Sequence, residues 1–277
     1  MIGIKVYPDT LHLYQNWDID FFEIYIRPTD RDNKPLDLQS QLLVHEPIRD
    51  KVIGIHGGIL HQNVNLMDES LAEHNQASIE LTLEAAKYFY NCQYIVFHPG
   101  NIIFNKNCSF RYLIETVSQI KDTRFMLEFE PIFGYKNRYC FPLHRIEDWA
   151  ALKAATNKEL ILDIGHALIT AYAMNYNPTD YLKEFIRVIN PRVIHVALKG
   201  LASEQDGYED SHPHLYEGDY DLFNLTNELK DRILTIEVKD PDLLDLSLLK
   251  HVVKGSMSTR EEFLKQNLIK TCNKNHS

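Results

Sequence analysis

The order of elements along this chain predicts an α/β protein built as a single closed (β/α)8 barrel, a TIM barrel. Three features point to it. Eight short runs rich in β-branched and aromatic residues recur through the 277 residues, and helical patterns lie between them. Most of these runs are continuously apolar rather than alternating, as expected of parallel strands buried on both faces. Nearly every run ends on a histidine or a carboxylate, at the strand ends where such barrels carry their chemistry.

The expected strands are 3–7 (GIKVY), 22–26 (FEIYI), 52–56 (VIGIH), 94–98 (YIVFH), 124–129 (RFMLEF), 160–164 (LILDI), 193–198 (VIHVAL) and 233–238 (ILTIEV). The clearest helical pattern is 69–90, with apolar residues at 71, 79, 81, 83, 86 and 88; others are 109–121, 143–156, 179–189 and 220–230. Strand followed by helix, repeated, means parallel strands joined by right-handed crossovers. No GxGxxG follows the first strand, which argues against an open dinucleotide-binding sheet. No linker rich in Pro, Gly or Ser divides the chain, so residues 1–277 read as one domain, with 258–277 as a terminal helix or tail.

Composition fits a soluble enzyme: 44% hydrophobic and 25% charged residues supply a core and a solvated surface. No apolar run reaches membrane-spanning length, and MIGIKVYP lacks the pattern of a secretory signal. Cys92, Cys108, Cys140 and Cys272 are scattered without CxxC spacing, which points to reduced thiols and a cytoplasmic setting. A net charge of −10 argues against a polyanionic partner, although bound cations would offset it at a site.

The ionisable strand ends form a candidate metal-binding set, because neutral imidazoles and carboxylates converging on one rim are what a divalent cation needs. His56 precedes Gly57-Gly58, where backbone can approach a ligand, and His98 precedes a Pro-Gly turn. Glu128 and Glu130 are two apart on one strand face; Glu128 is the favoured ligand with Glu130 the runner-up, and Pro131 ends the strand so that Glu130 is expected solvated in the loop, toward the substrate. Asp163 and His166 span Gly165, where a bend would turn both toward the rim; otherwise the pair is a helix N-cap and a helix-start histidine. His195 lies in the seventh strand and Glu237 ends the eighth. Asp210 and His212, two apart in an extended loop, aim the same way, though Asp-Ser-His-Pro also reads as a turn; His214 is spare. Lys5, Lys199 and Lys239 stand near strand ends, able to meet a phosphate or an enediolate, and read first as solvated rim charges.

IHGG, VFHPGN, MLEFEP, LDIGHALITAY, IHVAL, GYEDSHPHLYEGDYD and LTIEV together resemble the xylose isomerase-like TIM barrels, which include endonuclease IV and many sugar-phosphate isomerases and epimerases. The resemblance implies that His56, His98, Glu128, Asp163, His166, His195, Asp210, His212 and Glu237 match the trinuclear zinc set of the endonuclease IV family. It implies two or three divalent ions per chain, zinc foremost and Mn²⁺ or Mg²⁺ as alternatives, with Glu128 bridging two. Departures bear on nucleic acid: Lys5 replaces the strand-one histidine, Val196-Ala197-Leu198 an Asn-Asp-Ser, Ile59 a wedging aromatic, and Asp206-Gly207-Tyr208-Glu209 a basic stretch. GDYD at 218–221 and Glu23 look more like the isomerases.

Two functions follow from the resemblance. One is a polynuclear phosphoester hydrolase, in which His56 and His98 hold one metal, Asp163, His195 and Glu237 a second, and His166, Asp210 and His212 a third. The other is a sugar or sugar-phosphate isomerase or epimerase using one ion on Glu128, Asp163, His195 and Glu237. There Glu128 and Glu237 would be the catalytic proton shuttle and His166 and Lys199 would bind substrate oxygens. The expected partner is a small phosphorylated or sugar substrate, with nucleic acid as the alternative. A barrel that binds a small ligand without catalysis is the third reading, disfavoured by the density of ligands.

Overall fold

The computed structural model describes residues 1–30, 34–102, 107–132, 141–198 and 212–274, and in it eight parallel strands close into a barrel in sequence order. They are β1 (Ile2–Val6), β2 (Phe21–Tyr25), β3 (Val52–His56), β4 (Tyr94–Phe97), β5 (Phe125–Glu128), β6 (Glu159–Asp163), β7 (Val193–Val196) and β8 (Ile233–Ile236). Every expected strand forms, each within two residues of its expected bounds. β8 pairs back onto β1 through Ile4 and Ile236, which leaves no open edge.

Around the strands, among the described residues, lie α1 (Leu11–Tyr14), α2 (Leu38–Val44), α3 (Ala72–Tyr88), α4 (Phe110–Gln119), α5 (Ile146–Thr156), α6 (Ile164–Ala173), α7 (Pro178–Ile189), α8 (Leu243–Lys254) and α9 (Arg260–Lys274). Local chemistry sets their ends. Ser109 caps α4 by accepting from Tyr112 N–H, Asn177 with Pro178 starts α7, and Gly255 at φ +60° ends α8. The α9 helix forms within 258–277, where a terminal helix is expected; buried Phe263 packs against His251.

One helical expectation is corrected. Residues 220–230 do not form an α-helix: only a 3-10 turn, Leu222–Leu225, is present. Its apolar residues match a helical period, but Asn224, Thr226 and Asn227 favour local side-chain hydrogen bonding over helix, and Thr226 Oγ1 does donate to Phe223 O. The helix α6 begins directly where β6 ends, as the N-cap reading of Asp163 and His166 requires.

Between strands and helices, Phe129 stacks on Trp149 with centroids 4.5 Å apart and meets Phe185 edge-on at 5.0 Å. Removing such a fully buried ring costs roughly 3–5 kcal/mol.

The lumen positions the site. Alternate residues of a strand face opposite sides, so one set from every strand points inward. Toward the strand N-termini, Phe21, Ile53, Tyr94, Val96, Met126, Ile161, Val193 and Ile233 form a buried apolar plug. Gly54 makes room for it: a Cβ there would come within 2.3 Å of the Tyr94 ring. Further along the same inward faces come Lys5, Glu23, His56, Glu128, Asp163 and His195, all buried. The barrel is therefore apolar at its base and ionisable at its mouth.

Candidate metal centre

Two groups of side chains gather at the mouth. The imidazole and carboxylate atoms of His56, His98 and Glu128 lie within 4.8 Å of one another, and so do those of Glu128, Asp163, His195 and Glu237. Glu128, at the inward end of β5, belongs to both. Its Oε2 is 3.1 Å from His56 Nε2, 3.4 Å from His98 Nε2 and 3.5 Å from His195 Nδ1.

The hydrogen bonds fix which nitrogen of each ring is available. His56 Nδ1 lies 2.9 Å from the Gly57 carbonyl, which can only accept. That ring therefore donates from Nδ1 and turns the Nε2 lone pair toward Glu128 Oε2, placing two acceptors together unless a cation or proton stands between them. His195 Nε2 sits 2.9 Å from Glu23 Oε2, leaving Nδ1 for the centre. His195 Nδ1 and Glu237 Oε2 approach to 2.8 Å, yet neither has a hydrogen-bond partner. Glu128 Oε1 and Asp163 Oδ2 are likewise buried without one. Several orphaned acceptors crowded in one buried space are costly as they stand, and a divalent cation satisfies them together.

Electrostatics agree. Burial opposes ionisation of Glu128, but His98 and His195 outweigh it and hold the carboxyl well below the usual range. Burial likewise disfavours charge on His98, yet Glu130 and Glu128 push it up to about 10. His195 is raised well above normal by Glu23, Glu128 and Glu237, again against burial. Asp163 is raised to about 6 by burial, countered by His166 and reinforced by Glu237 and Glu128. Without metal, the surplus of carboxylate draws protons onto His98 and His195, whereas burial and Lys5 lower His56 and favour its neutral ring. The residues fit divalent cations.

Asp163 shows that its two readings are compatible. Oδ1 accepts from His166 N–H at 2.7 Å as the N-cap of α6, while Oδ2 is left without a protein partner and the carboxylate joins the second group. Gly165 lies inside α6 and makes no bend, which corrects that expectation. The glycines after His56 also serve packing: Cβ atoms there would strike the Phe97 ring and Val64.

The third group is only partly in view, since Asp210 and Lys199 fall outside the described residues. His166 Nδ1 donates to Phe129 O at 2.8 Å and His212 Nδ1 to Glu237 O at 2.7 Å, with the two rings 6.3 Å apart. Neither belongs to the two groups above. His214 lies apart, bound to Asp245 Oδ2 at 2.8 Å in the network that caps α8.

Two residues are more buried than expected. Glu130 is not solvated in a loop; its Oε1 is 2.5 Å from His98 Nδ1. Lys5 is not a rim charge, because its Nζ meets Glu237 Oε1 at 2.6 Å inside the mouth. Sequence reasoning missed Tyr94 and Thr235, which lie beneath Glu23; Tyr94 donates to Glu23 Oε2 at 2.8 Å. The signal was available in their inward parity with Val96 and Glu237.

A closed parallel barrel with imidazoles and carboxylates converging at its strand C-termini defines a TIM-barrel protein with a candidate metal site at its mouth. Residues 11–254 match the family described as xylose isomerase-like TIM barrel, and the chain belongs to it. Among solved structures it is similar to endonuclease IV from Thermus thermophilus, at 20% identity and a TM-score of 0.64, covering 96% of this chain and 99% of that one. It is also similar to D-psicose 3-epimerase determined with D-fructose, at 12% identity and a TM-score of 0.58, covering 90% of this chain and 89% of the other. A third is the IolI protein with a bound zinc atom, at 16% identity and a TM-score of 0.55, covering 92% and 96%. At these identities the likeness is one of fold. No curated protein sequence matches the chain. No helix among the described residues is long and apolar enough to cross a membrane.

Proposed function

We propose that the chain is a cytoplasmic, divalent-metal-dependent phosphoester hydrolase with a polynuclear centre, related in chemistry to endonuclease IV. The observation that carries this reading is the position of Glu128 in both ligand groups, with orphaned carboxylate oxygens around it. Two divalent ions, with zinc the first candidate, would supply Lewis acidity and a nucleophile at neutral pH. His56, His98 and Glu128 would hold one, and Glu128, Asp163, His195 and Glu237 the other. His166, His212 and Asp210 stand as candidates for a third.

The chain's own residues then orient and exclude. Glu23 fixes the His195 ring, Glu130 fixes His98, and Lys5 anchors one oxygen of Glu237 so that the other faces His195. The apolar plug beneath keeps water from entering through the base. A small phosphorylated substrate suits the net charge of −10 better than a nucleic acid.

The second reading is a sugar or sugar-phosphate isomerase or epimerase. It is favoured by the completeness of the Glu128, Asp163, His195 and Glu237 group, which alone suffices for one ion. Glu128 and Glu237 would then shuttle the proton, with His166, Lys199 and Glu130 toward the substrate oxygens. Elemental analysis of the purified chain separates the two. Two or more equivalents of Zn²⁺ or Mn²⁺, with turnover of a phosphoester panel that includes an abasic-site duplex, support hydrolysis. One tight equivalent, with turnover of ketose phosphates, overturns it for isomerisation.

A further inference from the structure

Arg27 stands two residues beyond β2, outside both ligand groups. Its guanidinium lies against a pair of rings, with Cζ 5.2 Å from the Tyr7 centroid and 5.3 Å from that of Tyr25. The rings meet edge to face at 5.6 Å. The main chain is locked, since Arg27 N–H donates to Gln41 Oε1 and Arg27 O accepts from Gln41 Nε2, each at 2.9 Å. Nε is buried without a hydrogen-bond partner. Among the described residues no carboxylate pairs with this side chain, so a partly dehydrated cation stands here without a counter-charge. Stacking on two rings offsets only part of that cost.

This cation is close to the centre. The Tyr25 ring that carries it meets the His56 ring at 5.3 Å and lies 5.8 Å from Lys5 Nζ. Arg27 is thus one aromatic ring away from a metal-ligand candidate, comparable with the span of a sugar. A rigid planar fork lacking an anion, at that remove, matches a phosphate by paired N–H···O bonds.

We propose that Arg27 anchors the phosphate monoester of a small phosphorylated sugar whose reacting oxygens lie at the Glu128 centre. This rests on the reading that a substrate binds at that centre, and it adds which substrates: those with a terminal phosphate distant from the reacting atoms. The half-buried, ring-flanked setting distinguishes Arg27 from the exposed cations, spread along a face, that bind polyanions.

The test compares ribose with ribose 5-phosphate, by calorimetric titration of the metal-loaded full chain, in the natural protein and in Arg27→Gln and Arg27→Lys. The phosphate tightens binding at least tenfold in the natural protein. Arg27→Gln loses most of that gain and Arg27→Lys keeps part of it, while metal content and ribose affinity stay unchanged. An Arg27→Gln chain that binds ribose 5-phosphate as the natural protein does, or a natural protein that does not discriminate, overturns the anchor. So does an Arg27→Gln effect confined to an abasic-site duplex, which would assign the arginine to nucleic acid. A count of one metal per chain removes the dinuclear reading and leaves the phosphate gain standing; loss of the gain in a two-metal chain removes the anchor alone.

Discussion

Glu23 Oε2 lies 2.9 Å from His195 Nε2, a carboxylate of β2 reaching across the lumen to an imidazole of β7. The contact selects the ring's tautomer and presents Nδ1 to Glu128 and Glu237. Tyr94 and Thr235 hold the same oxygen from below, so the imidazole rests on a buried polar column. Partners of this kind typically contribute 10–100-fold in metal affinity or activity. Glu23→Leu is expected to weaken metal binding by about that factor, and Glu23→Gln, which keeps an acceptor but no charge, by less. Competition with a chromophoric chelator measures both. Unchanged affinity in Glu23→Leu would remove the residue from any positioning role.

Metal uptake should release protons. His98 sits at about 10 in the metal-free chain because Glu130 and Glu128 outweigh the burial that would otherwise lower it. Its ordinary value is near 6.5, so this histidine is protonated at pH 7–8 and must lose its proton to become a ligand. A folded-state pKa above the unfolded one contributes stability that is complete below about 6.5 and fades as pH climbs toward about 10. The Tm of the chelator-treated chain is therefore expected to fall between pH 7 and 10, and that of the metal-loaded chain to fall less. Titration of Zn²⁺ in buffers of different ionisation enthalpy reads the protons directly. A buffer-independent heat contradicts the assignment.

Much of the fold and of the site is legible in the sequence, for a physical reason. Strands buried on both faces are written as unbroken apolar runs, and β3 coincides with VIGIH at 52–56. Those runs end where lumen positions meet solvent, so His56, Glu128, Asp163, His195 and Glu237 announced themselves as ionisable residues in the wrong company. What stayed hidden depends on partners distant in sequence. Lys5 reads as a rim charge until Glu237, 232 residues away, is placed 2.6 Å from it. Tyr94 looks like any aromatic strand residue until Glu23 is found at its hydroxyl. The absence of a helix at 220–230 is set by competing local hydrogen bonds, which a count of apolar spacing does not weigh.

The turn behind His98 offers a structural test. Gly100 has φ +101°, and a Cβ there would come within 2.0 Å of Asn65 Oδ1. That oxygen accepts from Met67 N–H and Asn101 N–H, and Asn65 Nδ2 donates to Asn101 O. Gly100→Ala should cost roughly 1–3 kcal/mol through backbone strain and the displaced amide. Because His98 is two residues away, metal affinity should fall as well. Denaturant unfolding of the metal-free chain reads the first effect and chelator competition the second; a neutral substitution in both would mean the turn adapts freely.

Glu128→Gln separates folding from chemistry. The glutamine keeps the volume and one acceptor oxygen in a lumen position whose neighbours, His56 and Met126, are already packed. It removes the one charge shared by both ligand groups. Losing a direct ligand should exceed the 10–100-fold cost of losing an indirect one, so activity is expected to drop by about 100-fold or more. Metal content should fall by at least one equivalent, because neither group keeps its full set of charged ligands. Since His98 and His195 favour the ionised carboxylate in the folded chain, the metal-free variant should still fold but unfold at a lower denaturant concentration at neutral pH. A variant with normal turnover and full metal content would show that the two ligand groups do not share a ligand, and the dinuclear centre would have to be abandoned.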